Sequence, residues 1–405
     1  MKALQPTLNI INQFMNKRTL KFGLALIAAT CIAGVAHAQY NETGQKNNYI
    51  STGIPILQIA PDAISGALGD AGAAYEPNAY SAHWNNAKLA FAPKNMSIST
   101  TYTPWLHKLG TDMNFLYLGG YMRITGRSAV GASLTYFSLG DIDHTGDEGQ
   151  HLGQFHPNEF MVDVTYSMRL SDNLALGATG RFIHDDITNG LNVGDQTTKS
   201  ANALAADVGL YYQYDVDKNQ QVAAAMTISN LGSKLSYSDD DTENEFLPAN
   251  IRVGARYSYE LDDYNKINAL IDLNKLLVPT PPAVNADGTW TGLYENMADY
   301  RSTSSMLGAI QSFYDAPGGM SEELREVSVS AGAEYWYANT FAARLGYFYE
   351  HKTKGGRQYV TLGIGMKYKS MDIDLSYLVP TTNFSNNPLA NTVRVSLTFN
   401  VDKKK

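Results

Sequence analysis

Apolar and polar positions alternate along most of the chain. Met371, Ile373, Leu375, Tyr377 and Val379 are separated by Asp372, Asp374 and Ser376, and Val393, Val395, Leu397, Phe399 and Val401 by Arg394, Ser396, Thr398 and Asn400. The same holds for Val162 to Leu170 and for Val360 to Tyr368, with Asp163, Arg169, Gly363 and Lys367 among the intervening residues. A period of two sends successive side chains to opposite faces of a strand, so each segment has one apolar face and one that carries charge or glycine. Alternation by itself fits a soluble sandwich as well as a membrane barrel. Length and spacing separate the two. Fourteen segments have this pattern, at 95–103, 112–125, 128–139, 157–171, 173–187, 200–216, 220–236, 248–261, 264–275, 325–337, 340–352, 357–369, 371–380 and 391–401. Many exceed the usual strand of a sandwich and suit a tilted membrane strand with an extension. Short turns at 126–127, 172, 217–219, 262–263, 338–339 and 369–370 alternate with mostly longer connections at 104–111, 140–156, 188–199, 237–247, 276–324, 353–356 and 381–390. Short periplasmic turns and long external loops are the outer-membrane pattern. The pattern predicts an all-β fold, a 14-stranded antiparallel transmembrane β-barrel over 95–405. It is placed in the outer membrane of a Gram-negative cell with both termini periplasmic, and closure leaves no free strand edge.

Two segments precede the barrel. Residues 1–38 read as a secretory signal peptide, with a true start possible at Met15. Lys17, Arg18 and Lys21 form a basic region, 22–35 is apolar, and Ala36-His37-Ala38 is an A-x-A cleavage site. The apolar run is too short for a membrane helix, and the residues before Cys31 do not suit lipidation. Residues 39–94 are predicted to be an N-terminal plug. The stretch 53–93 is rich in Gly and Ala and has no strand period. Small residues permit close backbone packing, and a fourteen-strand barrel encloses more volume than its own side chains fill. A flexible periplasmic leader is the alternative, and the apolar content of the segment speaks against it.

Composition supports this picture. Tyr (26) and Gly (34) are abundant, and past residue 38 no apolar run reaches the length of a membrane helix. The 31 Lys and Arg are outnumbered by 39 Asp and Glu, and Lys2, Lys17, Arg18 and Lys21 lie before the cleavage site. An acidic chain has no electrostatic reason to bind nucleic acid. Its single cysteine is lost with the leader, so disulfides are not expected. Aromatic clusters at Tyr102 and Trp105, Tyr211 to Tyr214, Tyr257 and Tyr259, Tyr335 to Tyr337, and Tyr347 and Tyr349 fit interfacial girdles.

No G-x-S-x-G or H-E-x-x-H motif is present, and neither an enzyme nor a cofactor is expected. His144, His151 and His156 with Asp141, Asp143, Asp147 and Glu148 lack regular metal-ligand spacing. The acidic run 239–245 reads as a hydrated external face rather than a Ca²⁺ loop. The external loop 276–324 is the strongest candidate for a binding surface, because a loop of that length in a compact fold is usually functional or disordered. Its candidate partner-binding residues are Trp290, Tyr294, Met297, Tyr300, Phe313 and Tyr314, and 297–314 approximates helical spacing. A lid packed on neighbouring loops is the competing reading. Trp105, Tyr237, Phe246 and Phe384 are placed to extend the same surface.

Pro61, Asp62, Gly66, Gly69 and Gly72, followed by Trp84 and Asn85, resemble the hatch of the FadL-like outer-membrane family. Further segments at 102–109, 136–142, 157–160, 228–240 and 272–282 are closer to its PorV (LptO) branch, of the type IX secretion system. The resemblance spans nearly the whole chain after the leader. It implies a non-catalytic protein that binds the C-terminal domain of secreted cargo as it leaves a large outer-membrane translocon. Cargo would then pass to a surface sortase complex that attaches it to lipopolysaccharide. Two other readings follow from the same resemblance. One is a FadL-type transporter of hydrophobic small molecules, for which the Gly119-Gly120 pair is the one hint of a lateral gap. The other is a lipid deacylase, which would need a nucleophile paired with a His that the sequence does not offer.

Overall fold

The computed structural model describes residues 49–105, 113–145, 151–186, 192–193, 196–197, 199–237, 244–284, 290–381 and 389–402. Expectations for the leader, for Asp147 and Glu148, for most of the acidic run and for Phe384 lie outside them. Fourteen antiparallel strands close into a barrel: β1 (Met96–Pro104), β2 (Asn114–Arg123), β3 (Ser128–Ser138), β4 (Asn158–Arg169), β5 (Leu174–Asp186), β6 (Ala201–Asp215), β7 (Gln220–Gly232), β8 (Asn250–Glu260), β9 (Asn265–Leu276), β10 (Ser328–Tyr337), β11 (Phe341–Tyr349), β12 (Gln358–Tyr368), β13 (Met371–Pro380) and β14 (Val393–Val401). Each strand pairs with its neighbours in sequence, and β1 closes on β14 from Met96↔Val401 to Tyr102↔Val395. Every predicted segment has its strand, with ends displaced by a few residues. Among the described residues, no helix is long and apolar enough to cross a membrane.

The alternation is that of a soluble protein turned inside out. On β6, Leu204, Val208, Leu210, Tyr212 and Tyr214 point outward and are exposed, whereas Asp207 and Tyr211 are buried in the lumen. On β13, Leu375 and Tyr377 are outside and Asp374 and Ser376 inside. Water cannot stabilise such an outer face, whereas hydrocarbon can. Exposed tyrosines ring the short-turn end, among them Tyr257, Tyr259, Tyr335 and Tyr337; Tyr211 and Trp336 point into the lumen instead. The β10–β11 turn holds Ala338 and Asn339 both at positive φ (52° and 48°), which matches the right-handed twist of its strands.

Residues 49–95 thread the lumen. They form a 3-10 turn at Pro55–Gln58, α1 (Ala63–Gly66), α2 (Ser81–Trp84) and a second 3-10 turn at Asn86–Phe91. Ala63, Ala67, Leu68, Ala71, Ala73 and Ala74 are fully buried. Small residues let backbone meet backbone here: a Cβ on Gly69 would lie 2.5 Å from the Tyr347 carbonyl oxygen, and one on Gly346 of β11 would collide with the Gly69 nitrogen. Gly69 also has φ +67°, which favours glycine.

Between β9 and β10 the long loop folds into α3 (Met297–Ser302), α4 (Ser305–Gln311), α5 (Met320–Glu323) and a 3-10 turn at Leu324–Glu326. The helical spacing is therefore real but interrupted. Asn296 caps α3 by accepting from Asp299 N at 2.9 Å, and Ser304 caps α4 by accepting from Leu307 N at 3.3 Å.

Candidate functional site

The plug motif assembles around one buried carboxylate. Asp62 caps α1, its Oδ1 accepting from Ser65 N at 2.7 Å, while its Oδ2 accepts from Trp84 Nε1 at 2.6 Å. Burial raises the pKa of this acid, opposed by the Ser65 and Trp84 hydrogen bonds and by Lys88 and Arg394. Pro61 precedes it in the buried chain. Gly72 packs under the Trp84 indole, and Gly66 faces the Arg394 guanidinium, where a Cβ would approach to 3.0 Å. Asn85 turns the chain after α2, its side-chain oxygen accepting from Ala87 N at 3.0 Å and its Nδ2 donating to Leu210 O at 2.9 Å. The motif residues are thus buried inside the barrel, with Asp62 and Gly72 against Trp84 and with Gly66, Gly69 and Asn85 against the strands.

The seat is bonded around its circumference. Ser396 of β14 accepts from Ala63 N, Thr361 of β12 from Gly69 N, and Ser167 of β4 from Ala90 N. Asp272 of β9 accepts from both Gly72 N and Ala73 N, at 2.8 and 2.9 Å. Glu334 of β10 accepts from Tyr75 Oη at 2.9 Å, and Thr227 of β7 donates to Trp84 O. Arg252 of β8 donates to Asp70 O and lies 4.8 Å over the Trp84 ring. Lys88 donates to Gly72 O at 2.6 Å; burial lowers its pKa to about 7 against the pull of Asp272 and Asp62. At Glu76 burial raises the pKa, but Arg256 and Lys266 outweigh it and hold the acid at about 2.

The lumen wall adds two buried ionic knots. Arg181 bridges Asp163 (2.7 Å) and Asp207 (3.1 Å), and Arg344 bridges Glu334 and Asp374 (both 2.6 Å). A cavity of about 40 Å³ beside the plug is lined by His83, Arg181, Asn230, Arg252, Asn274 and Arg357 among others. Its lining is polar and its size suits a few waters. The β2–β3 ladder is unbroken across Gly119 and Gly120, which pair with Ser133 and Ala132, so the sequence hint of a lateral gap there is corrected.

The loop cap has its own core. Tyr294 and Tyr300 are buried against Phe246 and Val278, with Met297 partly buried beside them, and Tyr300 meets the Phe246 and Tyr294 rings edge-on at 5.4 Å each. Phe313 and Tyr314 are half or more exposed, with Lys275 Nζ 6.0 Å from the Phe313 ring centre. Trp290 opens a two-residue strand paired with Ala283–Val284. Of the supporting residues, Trp105 and Phe246 are buried and Tyr237 is held by Asp185. An ion cluster locks the cap: Lys275 pairs with Glu323 and Glu326, and Lys354 with Glu322 and Glu326. Spacing gave no sign of this cluster, because its members come from β9, the 353–356 turn and the end of the loop. His156 meets Asp141 at 2.7 Å, and no group of three or more His, Cys, Asp or Glu is suited to a metal among the described residues.

No curated protein matches the chain. Solved structures similar to it include a toluene transporter, TodX, of P. putida (12% identity, TM-score 0.48, 85% of this chain and 99% of that one). A P. aeruginosa FadL homologue is similar at 11% identity and TM-score 0.44, over 87% of this chain and 99% of that one. The monoaromatic hydrocarbon channel CymD is similar at 13% identity and TM-score 0.46, over 85% and 98%. The family model described as "Type IX secretion system protein PorV" matches residues 42–283, which comprise most of the plug and the first nine strands, and the chain belongs to that family.

Proposed function

We propose that this outer-membrane barrel is a non-catalytic component of the type IX secretion system that binds the C-terminal signal domain of secreted cargo. It passes that domain from the translocon to the surface sortase complex for attachment to lipopolysaccharide. Membership of the PorV family carries the reading. The geometry supports it in two ways. A plug bonded to strands around the barrel makes a rigid platform rather than a conduit, and the long-loop end presents a folded cap with its own buried aromatic core. In this reading Tyr294, Tyr300 and Met297 hold the shape of the cap. Trp290, Phe313 and Tyr314 supply the anchors that such interfaces favour. The short turns face the periplasm, as does the end of β14, where Asp402 pairs with Lys94. Uptake of hydrophobic molecules through the barrel is disfavoured by the polar lining of the cavity beside the plug.

The test is gene deletion followed by complementation. Cargo is expected to accumulate unprocessed, with its C-terminal domain attached, and to lack surface anchoring. Phe313→Ala with Tyr314→Ala should weaken capture of a purified cargo C-terminal domain while the barrel remains folded. Normal processing and anchoring in the deletion strain would refute the reading.

A further inference from the structure

Helix α4 lies on the outside of the barrel. On β7 and β8 the outward-facing residues include Met226, Ile228, Leu231, Ile251, Val253 and Tyr257, whereas Thr227, Asn230 and Arg252 turn into the lumen. Ala309 of α4 is buried against Ile228, Leu231 and Ile251, together with Ala249 and Leu277. Its neighbour Gly308 packs against Pro279 and Phe246. The cap therefore folds over the rim and rests on the wall that faces lipid.

The height of this contact follows from the strand. Tyr259 belongs to the tyrosine ring at the short-turn end, and Ile251 lies on the same outer face of β8. At about 3.3 Å per residue and a tilt near 40°, Ile251 stands roughly 20 Å above that ring, just inside the upper edge of an apolar band about 25 Å tall. Two further observations fix the same level. Val253 and Leu273, cross-strand partners just below, are 48% and 44% exposed, whereas Lys275, the partner of Ile251, is a charge neutralised by Glu323 and Glu326. On β6, Leu204 is 67% exposed and carries the lipid-facing wall up to the same height.

The free side of α4 is unsuited to water. Met306, Leu307 and Ile310 are 63%, 49% and 61% exposed, and no charged residue occurs from Ser302 through Tyr314. A surface helix in water turns a polar face outward; this one turns apolar side chains both onto the barrel and away from it. We propose that α4 is an interfacial membrane anchor, seated at the boundary between headgroups and acyl chains of the outer leaflet, with Met306, Leu307 and Ile310 in contact with lipid. The occupant is lipid because the patch continues the lipid-facing wall without a break. Phe313, tied to Lys275, stands at the charged end of the patch and stays with the cap's partner surface. The inference holds whether or not the cap binds cargo. It adds that the cap is fixed at the level of the lipid surface rather than projecting above it.

The experiment uses the protein from residue 39 onward, which holds no cysteine, reconstituted into liposomes and spin-labelled at Ile310→Cys or, as a second site, Met306→Cys. Leu204→Cys reports the lipid wall and Ala298→Cys, on exposed α3, reports water. Correct folding of each variant is checked by heat-modifiable migration. The ratio of relaxation by oxygen to relaxation by a water-soluble nickel chelate is expected to be several-fold higher at 310 and 306 than at 298, approaching that at 204. A chelate accessibility like that of position 298 would overturn the proposal. So would shielding from both agents, which would mean that protein, through self-association, covers the face.

Discussion

Replacing Asp272 by Ala should loosen the plug while leaving the barrel closed. Asp272 is 1% exposed; its Oδ2 accepts from Gly72 N at 2.8 Å and Ala73 N at 2.9 Å, and Arg252 Nη1 lies 3.8 Å away. The variant strips two buried amides of their acceptor and leaves Arg252 with the Asp70 carbonyl as its remaining hydrogen-bond acceptor in the plug. Hydrogen bonds to a charged group contribute about 1.5–3 kcal/mol each, so the pair amounts to roughly 3–6 kcal/mol. At about 1.4 kcal/mol per tenfold, opening of the Gly72–Ala73 segment should become on the order of 10² to 10⁴ times more frequent. The β8–β9 ladder itself is backbone, from Asn250↔Leu276 to Glu260↔Lys266, and does not need the carboxylate. Native-state hydrogen exchange by mass spectrometry separates the two. The expected result is faster exchange at amides 72 and 73 with unchanged protection in β9, and an intermediate effect for Asp272→Asn, which retains one acceptor oxygen. Unchanged exchange at 72 and 73 would refute the assignment of this contact as a plug anchor. Loss of protection in β9 to the same extent would show that plug and barrel open only together.

The other knots give sharper single outcomes. Arg344→Met leaves Glu334 and Asp374 buried without their cation and should cost about 3–5 kcal/mol, read as a lower unfolding temperature in heat-modifiable migration; adding Glu334→Gln and Asp374→Asn should recover much of it. Gly346→Val places side-chain atoms where Gly69 and Leu68 pass, and overpacking of at least about 1–3 kcal/mol should appear as plug exchange even if the barrel forms. Tyr300→Ala removes the ring between Phe246 and Tyr294, so limited proteolysis should cut within 276–324 before any barrel turn. The cap should also respond to pH. Burial raises Asp315 to about 7, opposed by its hydrogen bond from Thr280 N and assisted by Glu323 and Glu326. An acid whose folded pKa is raised binds its proton more tightly when folded. Cap stability should therefore fall as pH rises from about 4 to 7 and level off above that, and Asp315→Asn should abolish the slope in exchange of the Thr280 amide.

The barrel was legible because its rule is local. Each strand carries its own alternation, and a misplaced end does not alter the count, so Met371 to Val379 or Val162 to Leu170 each identify a strand unaided. Before the first strand stands a Gly- and Ala-rich stretch without strand period, and the structure describes its residues 49–95 bonded to inward-facing strand residues. That bonding was not legible, because Asp62 meets Trp84 across 22 positions and Asp272 meets Gly72 across 200. The cap shows the same limit from the other side. Helical spacing over 297–314 pointed to the right segment, but exposure cannot be read from residue type: Tyr300 is buried and Tyr314 is free although both are tyrosines on short helical turns. What decides is which residues Phe246 and the outer wall of β7 and β8 meet, and those arrive from elsewhere in the chain.

The lumen chemistry bears on what the barrel can be. Arg181, Arg252, Arg256, Arg344 and Arg394 face the interior, as do Asp163, Asp207, Asp272, Glu334 and Asp374. Cations and carboxylates are interleaved, and each of the two knots ties one arginine between two carboxylates rather than lining a path with one sign. A selective pore does the opposite: it leaves rings of like charge unpaired to attract a permeant ion. A pathway for apolar molecules would need an apolar lining, yet three arginines and a histidine face the cavity beside the plug. Buried ion pairs contribute little net stability compared with apolar packing, but removing one partner is costly. Their arrangement around the plug therefore favours one position of it over all others. On the proposed reading such a barrel holds its rim in place and recognition belongs to the long-loop end, where the cap is clamped by Lys275 and Lys354 and rests on the outer wall through Ala309.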